Sequence, residues 1–287
     1  MAGSDLKDRK KAMAVSKENP YPRYTEKLDH VEPNIKSILL KAGVPEDKLI
    51  EHITEIVSTT SIRLPLDDSA HGCTVEGTGL GNTSIPLHSI TTLPEYPEVL
   101  ERVKDGQRFL DLACCFGQIL RKMNFDGAPA SNLYGSDLRQ DFIELGFDLF
   151  LDKSTFGAKF LVADAFETDT ELTELEGTID IIHSSSFFHL FDRETQVKLG
   201  KRIVSLLKPE KGSLLFGRQV GWLDRREKPH PNESNRVIHR HNPETWADLW
   251  EQIGNETGTQ WKTGSEMLAS GTEVENTRMH RFTVRRL

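Results

Sequence analysis

The sequence predicts an α/β fold built around a doubly wound, largely parallel sheet. Two observations support this class. From residue 93 onward, short apolar segments alternate with segments of helical pattern, and four of the apolar segments end in an acid or in a turn of small residues. Alternation of strands and helices favours parallel βαβ units, and such sheets bind ligands at the carboxyl ends of their strands.

The first strand and its loop lie in FLDLACCFGQ, residues 109–118. Phe109 and Leu110 lead to Asp111, and a turn of small residues then ends at Gly117. Small side chains let the backbone approach a ligand closely. A helix predicted over Gln118–Asn124 would direct its free N–H groups toward a negative ligand group.

Two further strands end in acids. NLYGSDL, residues 132–138, ends at Asp137, about twenty residues past the loop, which is the spacing at which a carboxylate meets ribose hydroxyls. A carboxylate can accept a hydrogen bond from both hydroxyls. The alternative is an aspartate that only caps its strand. FLVADAF, residues 160–166, places Asp164 at the end of the third strand.

The fourth and fifth strands follow the same pattern. We predict a strand over Ile179–His183 and a turn at Ser184–Ser186. Residues 199–221 then predict a helix and a fifth strand, because Pro209 stops the helix and Gly212 permits a turn.

These motifs resemble the class I S-adenosylmethionine (SAM) methyltransferases, whose loop consensus is Asp-Leu-Gly-Cys-Gly-x-Gly. Residues 111–117 match it with Ala113 and Cys115 at two glycine positions. The chain is more specifically similar to fungal methyltransferases of meroterpenoid biosynthesis, which methylate a carboxylate on a farnesylated polyketide intermediate. The matching stretches are residues 93–118, 133–138, 180–192, 202–221 and 240–261, and the match weakens between residues 58 and 90.

The resemblance implies a Rossmann-like, seven-stranded sheet whose last two strands, Thr259–Leu268 and Met279–Arg285, are antiparallel. It implies SAM as cofactor, with Asp164 accepting from the adenine amino group. The residues expected to bind the cofactor are Asp111, Leu112, Ala113, Cys114, Gly117, Gln118, Asp137, Leu138, Asp164, Ala165, Phe166, Ser184 and Ser185.

Methyl transfer is an in-line displacement that mainly requires alignment and exclusion of water. A carboxylate acceptor is ionised near neutral pH and needs no base. A phenol or alcohol would need one, and His189 is the candidate, although it can equally pack against the methionine moiety; His183 is interpreted as a core histidine. The residues expected at the acceptor are Tyr24, Phe187, Arg218, Trp222 and His241.

Neither the cysteines nor the histidines predict a metal site. Cys114 and Cys115 are adjacent, and no second cysteine pair exists to complete a metal-binding set. They are interpreted as small residues of the turn. His230, His239 and His241 are scattered through a polar loop and are interpreted as solvated.

The chain divides into three predicted regions. Residues 1–23 form a charged tail that we expect to be mobile. Residues 24–92 form a helical cap, broken at Gly43–Pro45, and a loop segment; residues 93–287 form the core, with an insertion near 222–240 that covers the site.

Composition excludes several function classes. A net charge of −8 argues against nonspecific binding to nucleic acid. No apolar run approaches the ~20 residues that span a bilayer, and the polar N-terminus does not resemble a signal peptide. Three cysteines do not make a disulfide framework, so a cytoplasmic location is expected. Relatives with N-terminal helical extensions sometimes dimerise through them, so the resemblance suggests a homodimer.

The expected function is SAM-dependent O-methylation of a small apolar natural product, with a carboxylate as the acceptor that the resemblance implies. Transfer to a phenol, to nitrogen or to carbon remains open, as does a methyltransferase-like regulator that acts through a protein partner. A dinucleotide oxidoreductase is excluded, because its fingerprint requires Gly-x-Gly-x-x-Gly after the strand and only Gly117 is present.

Overall fold

The computed structural model describes residues 31–63, 90–224, 228–229, 237–269 and 276–287. Seven helices and nine strands are assigned within these ranges. The helices are α1 (Pro33–Lys41), α2 (Leu49–Arg63), α3 (Tyr96–Lys104), α4 (Gln118–Phe125), α5 (Gln140–Phe150), α6 (Arg193–Leu206) and α7 (Pro243–Thr257). The strands are β1 (Phe109–Leu112), β2 (Leu133–Asp137), β3 (Lys159–Val162), β4 (Ile181–His183), β5 (Leu214–Trp222), β6 (Lys228–Pro229), β7 (Val237–Ile238), β8 (Trp261–Leu268) and β9 (Thr277–Arg286).

The main sheet has seven strands in the order β3-β2-β1-β4-β5-β9-β8. The pairs among β1 to β5 are parallel, and β9 pairs antiparallel with both β5 and β8. This confirms the predicted fold class, including the antiparallel final strands. The strand order reverses between β1 and β4, and ligands of doubly wound sheets bind at such a switch point.

Alternation along the strands gives the sheet two apolar faces. Leu110, Leu112 and Leu215 face α6 and α7, whose Ile203, Trp246 and other side chains share one buried cluster with them. Phe109, Ile181 and Phe216 face α3 and α4 in a second cluster. Since both faces are covered, β1 is buried along its whole length.

The N-terminal helices pack beside the loop that follows β1. The predicted break at Gly43–Pro45 separates α1 from α2. Apolar residues of both helices, including Leu39 and Ile53, form a third cluster with Phe116 of the loop and with Phe142 of α5. The helical segment therefore supports the outer side of the loop.

The element boundaries differ from the predictions mainly at β3. This strand ends at Val162, and the acid predicted to end it, Asp164, lies two residues beyond. β3 ends with its partner, since Val162 pairs with Asp137, the last residue of β2. Beyond the strand, the Asp164 carboxylate accepts the N–H of Phe166 at 2.9 Å. At the C-terminal side, Asn242 caps α7 by accepting the N–H of Thr245.

The region predicted as an insertion contributes the end of β5 and the short antiparallel pair β6–β7. Most of residues 225–236 lie outside the described residues. Among the described helices, none combines the length and the apolar character that crossing a bilayer requires.

A buried polar network lies between the sheet and α7. His241 is fully buried, and its ring nitrogens contact Gln196 Oε1 at 2.5 Å and Thr245 Oγ1 at 3.0 Å. His280, also fully buried, contacts Gln219 and Ser265. Burial lowers the pKa of His280 to about 3 and holds the pKa of His241 well below its usual range. Both rings are therefore neutral in the folded protein near neutral pH.

We expect these histidines to make the protein sensitive to acid. The unfolded chain binds their protons near pH 6.5, whereas the folded chain resists protonation of His280 down to about pH 3. The free energy of unfolding should therefore fall as the pH drops below about 6.5, by up to about 1.4 kcal/mol per pH unit for each histidine. Urea unfolding of the wild type and of His280→Gln between pH 7.5 and 5 measures this. A slope that is the same in the variant contradicts the prediction.

Candidate cofactor and acceptor site

The loop after β1 has the backbone of a glycine-rich turn although it contains a single glycine. Ala113, Cys115 and Gly117 have φ values of +65°, +53° and +64°. The left-handed region is costly for residues with a Cβ atom and is favoured by glycine. The substitution of Ala113 and Cys115 at the consensus glycine positions has therefore left the loop conformation in place, at a cost in strain.

Gly117 is required where it stands. Besides its positive φ, a Cβ atom there would lie 2.6 Å from the Phe160 ring and 2.9 Å from Nη1 of Arg121. The same Arg121 nitrogen donates to the carbonyl of Phe116 at 2.7 Å. Gly117 also precedes Gln118, the first residue of α4. The loop is thus fixed at the start of the helix whose N-terminus faces the carboxyl edge of the sheet.

Asp137 joins this loop to the end of β2. Its carboxylate accepts the N–H of Cys115 at 2.8 Å and the N–H of Arg139 at 3.0 Å. Burial is the largest influence on this group and raises its pKa to about 6, against the opposite effect of the two N–H bonds. A desolvated carboxylate of this kind is stabilised by further hydrogen-bond donors, such as a pair of hydroxyls.

A pocket lies over the carboxyl ends of β1, β2 and β3. It brings together seven of the residues predicted from the sequence and four others that line the same strand ends. The predicted members are Leu112, Ala113, Asp137, Leu138, Asp164, Ala165 and Phe187, and the additional ones are Ser136, Arg139, Phe142 and Ala163. Ser136 and Ala163 are small residues directly before or beside the predicted acids, which is the sequence feature by which they could have been found.

The remaining predicted cofactor residues do not line this pocket. Cys114 is buried, and burial raises the pKa of its thiol well above the usual range, so it behaves as a small apolar residue. Phe166 packs edge-on against Phe191 at 5.0 Å between ring centroids. Ser184 is buried after β4, where its N–H donates to the carbonyl of Phe216.

Asp111 is hydrogen-bonded to His183, which the sequence predicts to be a core histidine. Its carboxylate lies 2.7 Å from Nδ1 of His183, the residue paired with it in the parallel register of β1 and β4. Nε2 of His183 lies 2.9 Å from Oγ of Ser185. The main-chain N–H of Arg218 donates to the same Oγ at 3.3 Å. A row of hydrogen bonds therefore runs across the carboxyl edge of the sheet, through Asp111, His183, Ser185 and Arg218.

His189 and Trp222 occupy the β4–β5 side of the edge. Burial, together with the charge of Arg240, lowers the pKa of His189 to about 3, which makes it a weak base. The guanidinium of Arg240 lies 4.9 Å from the ring centroid of Trp222. The Arg218 guanidinium is also desolvated, and burial lowers its pKa to about 10.

One residue expected at the acceptor, His241, is not brought to this edge, and the interpretation of His239 and His241 as solvated is wrong, because both are buried. His241 lies inside the polar network beneath α7, where both ring nitrogens are hydrogen-bonded and no surface is exposed. The prediction that it binds the acceptor is therefore wrong, and His241 is an interior residue. Its position just before a helix cap gave no indication of that burial. Tyr24 lies outside the described residues, as does His230.

A methyltransferase domain model matches residues 109–210, which contain β1 to β4 and α4 to α6. O-methyltransferase phiE from Fungal sp. is 37% identical over 91% of this chain and 84% of its own length. Methyltransferase adrK from Penicillium roqueforti is 36% identical over 93% of this chain and 94% of its own. Asnovolin E/Chermesin D methyltransferase nvfJ from Aspergillus novofumigatus is 36% identical over 84% of this chain and 85% of its own length. The solved structure of the [4+2]-cyclase SpnF shares the fold, with a TM-score of 0.51 and 12% identity over 89% of this chain and 97% of that one.

The fold and the pocket at the switch point, together with these relatives, define a SAM-dependent methyltransferase. The chain belongs to the family of fungal methyltransferases of secondary metabolism that includes phiE and adrK. The site fits the cofactor, because the loop backbone keeps the glycine conformation at the consensus positions and a desolvated carboxylate stands at the end of β2.

Replacement of Ala113 by glycine should stabilise the protein. Removal of the Cβ atom relieves the left-handed strain, and we expect the free energy of unfolding to rise by about 0.5–1 kcal/mol. Denaturant unfolding measures the change. Ala128→Gly is the matched control, because Ala128 is buried with an ordinary φ and its replacement should destabilise the protein. Equal losses of stability in the two variants would show that Ala113 is unstrained.

Asp137 should control cofactor affinity in a pH-dependent manner. Binding of hydroxyl donors favours the ionised carboxylate, so the affinity for S-adenosylhomocysteine should fall as the pH drops below about 6, by up to tenfold per unit. Asp137→Asn should lose about ten- to hundredfold affinity and most of this pH dependence. Calorimetric titration measures both effects. Asp148→Asn, on the exposed side of α5, is the control, and equal affinities for the two variants contradict the assignment.

Proposed function

We propose that this enzyme transfers the methyl group of SAM to a carboxylate oxygen of a small, apolar natural product and forms a methyl ester. Arg218 is the observation that carries the choice of acceptor. Its guanidinium is largely withdrawn from water on β5, and its main-chain N–H donates to Oγ of Ser185. A desolvated guanidinium favours an anionic ligand and matches the planar shape of a carboxylate.

In this proposal the cofactor lies over the pocket at β1 to β3. Asp137 accepts from the two ribose hydroxyls with the lone pairs that its N–H bonds leave free. Asp164 accepts from the adenine amino group, and Leu138, Ala165 and Phe166 flank the ring. The N–H groups of the loop and of the first turn of α4 hold the methionine carboxylate, with Gln118 at the helix start.

The acceptor occupies the β4–β5 side of the edge. Phe187 lines the cofactor pocket and lies toward this side, and Trp222 supplies a second apolar surface, supported by Arg240. Arg218 orients the acceptor carboxylate. Together these residues align the oxygen with the methyl group and exclude water, which is most of what an in-line displacement requires.

Bound SAM supplies a methyl group that its positively charged sulfur has already activated. The acceptor carboxylate is ionised at neutral pH, so no residue has to remove a proton from it. This agrees with the weak basicity of His189, for which the proposal leaves a packing role beside the cofactor. The relative phiE is an O-methyltransferase, which supports transfer to oxygen.

The acceptor is identified with labelled methyl donor. The protein is incubated with methyl-labelled SAM and an extract of fungal metabolites, and the labelled products are separated and identified by mass. A methyl group released by mild base indicates an ester; a base-stable one indicates an ether or an amine and rejects the carboxylate. Absence of both labelled product and binding of S-adenosylhomocysteine would favour a regulatory protein.

Arg218→Gln separates the acceptor from the cofactor. We expect formation of the labelled ester to fall about tenfold or more, because a charge-assisted bond is lost, while affinity for S-adenosylhomocysteine stays within about twofold. Arg285→Gln is the control, since Arg285 pairs with Glu98 at the opposite end of the sheet. Equal ester yields from the two variants contradict the role of Arg218.

A further inference from the structure

Asp111, His183 and Ser185 have the geometry of a serine–histidine–aspartate triad. The carboxylate of Asp111 is 2.7 Å from Nδ1 of His183, and Nε2 of the same ring is 2.9 Å from Oγ of Ser185. Such triads are recognised by the order of these contacts and not by the order of the residues in the chain. Methyl transfer to a carboxylate does not use this arrangement.

The chain of contacts has a fixed polarity. An aspartate carboxylate only accepts hydrogen bonds, so it places the proton of the imidazole on Nδ1. Nε2 then carries a lone pair, and the Ser185 hydroxyl donates its hydrogen bond to that lone pair. This is the arrangement in which a histidine can remove the serine proton when Oγ attacks an electrophile.

The surroundings hold the triad in place. Asp111 and His183 are each 3% exposed. The His183 ring lies against Phe109 and Phe216, with centroids 6.3 and 5.2 Å away, so it cannot rotate freely. Ser185, in contrast, is only partly buried. The acid and the base are thus shielded, and the hydroxyl stands at the open end.

The turn after β4 presents this serine at the carboxyl edge of the sheet. Ser186 has φ +54°, and its N–H donates to the carbonyl of Arg218 at 2.8 Å. The N–H of Arg218 in turn contacts Oγ of Ser185. A serine on a tight turn directly after a parallel strand is also how hydrolases with α/β folds expose their nucleophile.

We propose that Ser185 is an activated nucleophile and gives this protein a second activity, the hydrolysis of esters of small apolar carboxylic acids. Oγ of Ser185 bonds to the ester carbonyl carbon while its proton moves to Nε2 of His183. The carbon–oxygen bond to the alcohol breaks, and the alcohol leaves with that proton. Water then attacks the acyl-serine, gives its proton to His183, and releases the acid and free Ser185.

The choice of ester rests on the proposed function, in which the acceptor lies on the β4–β5 side of the edge, where Ser185 contacts the main chain of Arg218. The reactivity of Ser185 does not rest on it. A protein that reacts at Ser185 but methylates nothing retains this inference and loses the proposed function. A protein that methylates an acid but does not react at Ser185 does the reverse.

The test is covalent labelling with an alkyl fluorophosphonate, followed by intact-mass and peptide mass spectrometry. We expect the wild type to gain one phosphonyl group, on Ser185, and to hydrolyse p-nitrophenyl butyrate. Ser185→Ala should lose the label. The labelling rate of His183→Gln should be at least about a hundredfold lower than that of the wild type, because a general base has been removed. Ser205→Ala, on α6, is the matched control and should be labelled like the wild type.

The rate constant of labelling separates activation from a structural role. His183→Gln should remain folded and lose only the rate of labelling, whereas Ser205→Ala should keep both the fold and the rate. The circular dichroism spectrum and the thermal unfolding transition of each variant show that it is folded. A wild type that binds S-adenosylhomocysteine but is not labelled, is labelled elsewhere, or is labelled as fast as His183→Gln overturns the inference.

Discussion

The buried guanidinium of Arg121 is the interaction on which the cofactor loop depends. It forms two bonds with the carboxylate of Asp152, at 2.7 and 2.8 Å, and donates to the carbonyls of Phe116 and Gly117. Four phenylalanine rings surround it within 6 Å, those of Phe147, Phe150, Phe156 and Phe160. Burial of a cation is costly unless its N–H donors are satisfied. Here hydrogen bonds satisfy most donors of the guanidinium, and the phenylalanine rings surround its faces. The loop after β1 is therefore held in place by the Arg121 guanidinium, and not by glycines of its own.

Local sequence patterns were sufficient to predict the sheet and the positions of its acids. A buried strand, a small-residue turn and an acid at the next strand end are each legible over a few residues, which is why Asp137 and Asp164 were predicted for the same edge of the sheet, where both line one pocket. The end of β3 was predicted less accurately, because β3 ends where its partner β2 ends and that register is a contact between distant residues.

Contacts between residues distant in sequence could not be predicted. Asp152 lies 31 residues from Arg121, and His183 lies 72 from Asp111. Nothing in the immediate neighbourhood of either residue marks its partner. His241 shows the same limit in reverse: polar neighbours suggested an accessible ligand, whereas Gln196, 45 residues away, encloses it in the interior. Tertiary packing decides such cases.

The packing of α1 and α2 against Phe116 has a consequence for where the catalytic unit begins. Leu39 and Ile53 belong to the same apolar cluster as Phe142 of α5, and a glycine at position 146 lets α5 approach the carbonyl of Phe116, where a Cβ atom would lie at 2.3 Å. A truncated polypeptide starting at β1 would leave one side of this cluster open to water. Such a fragment, though it contains the whole segment matched by the family model, would not be an autonomous folding unit.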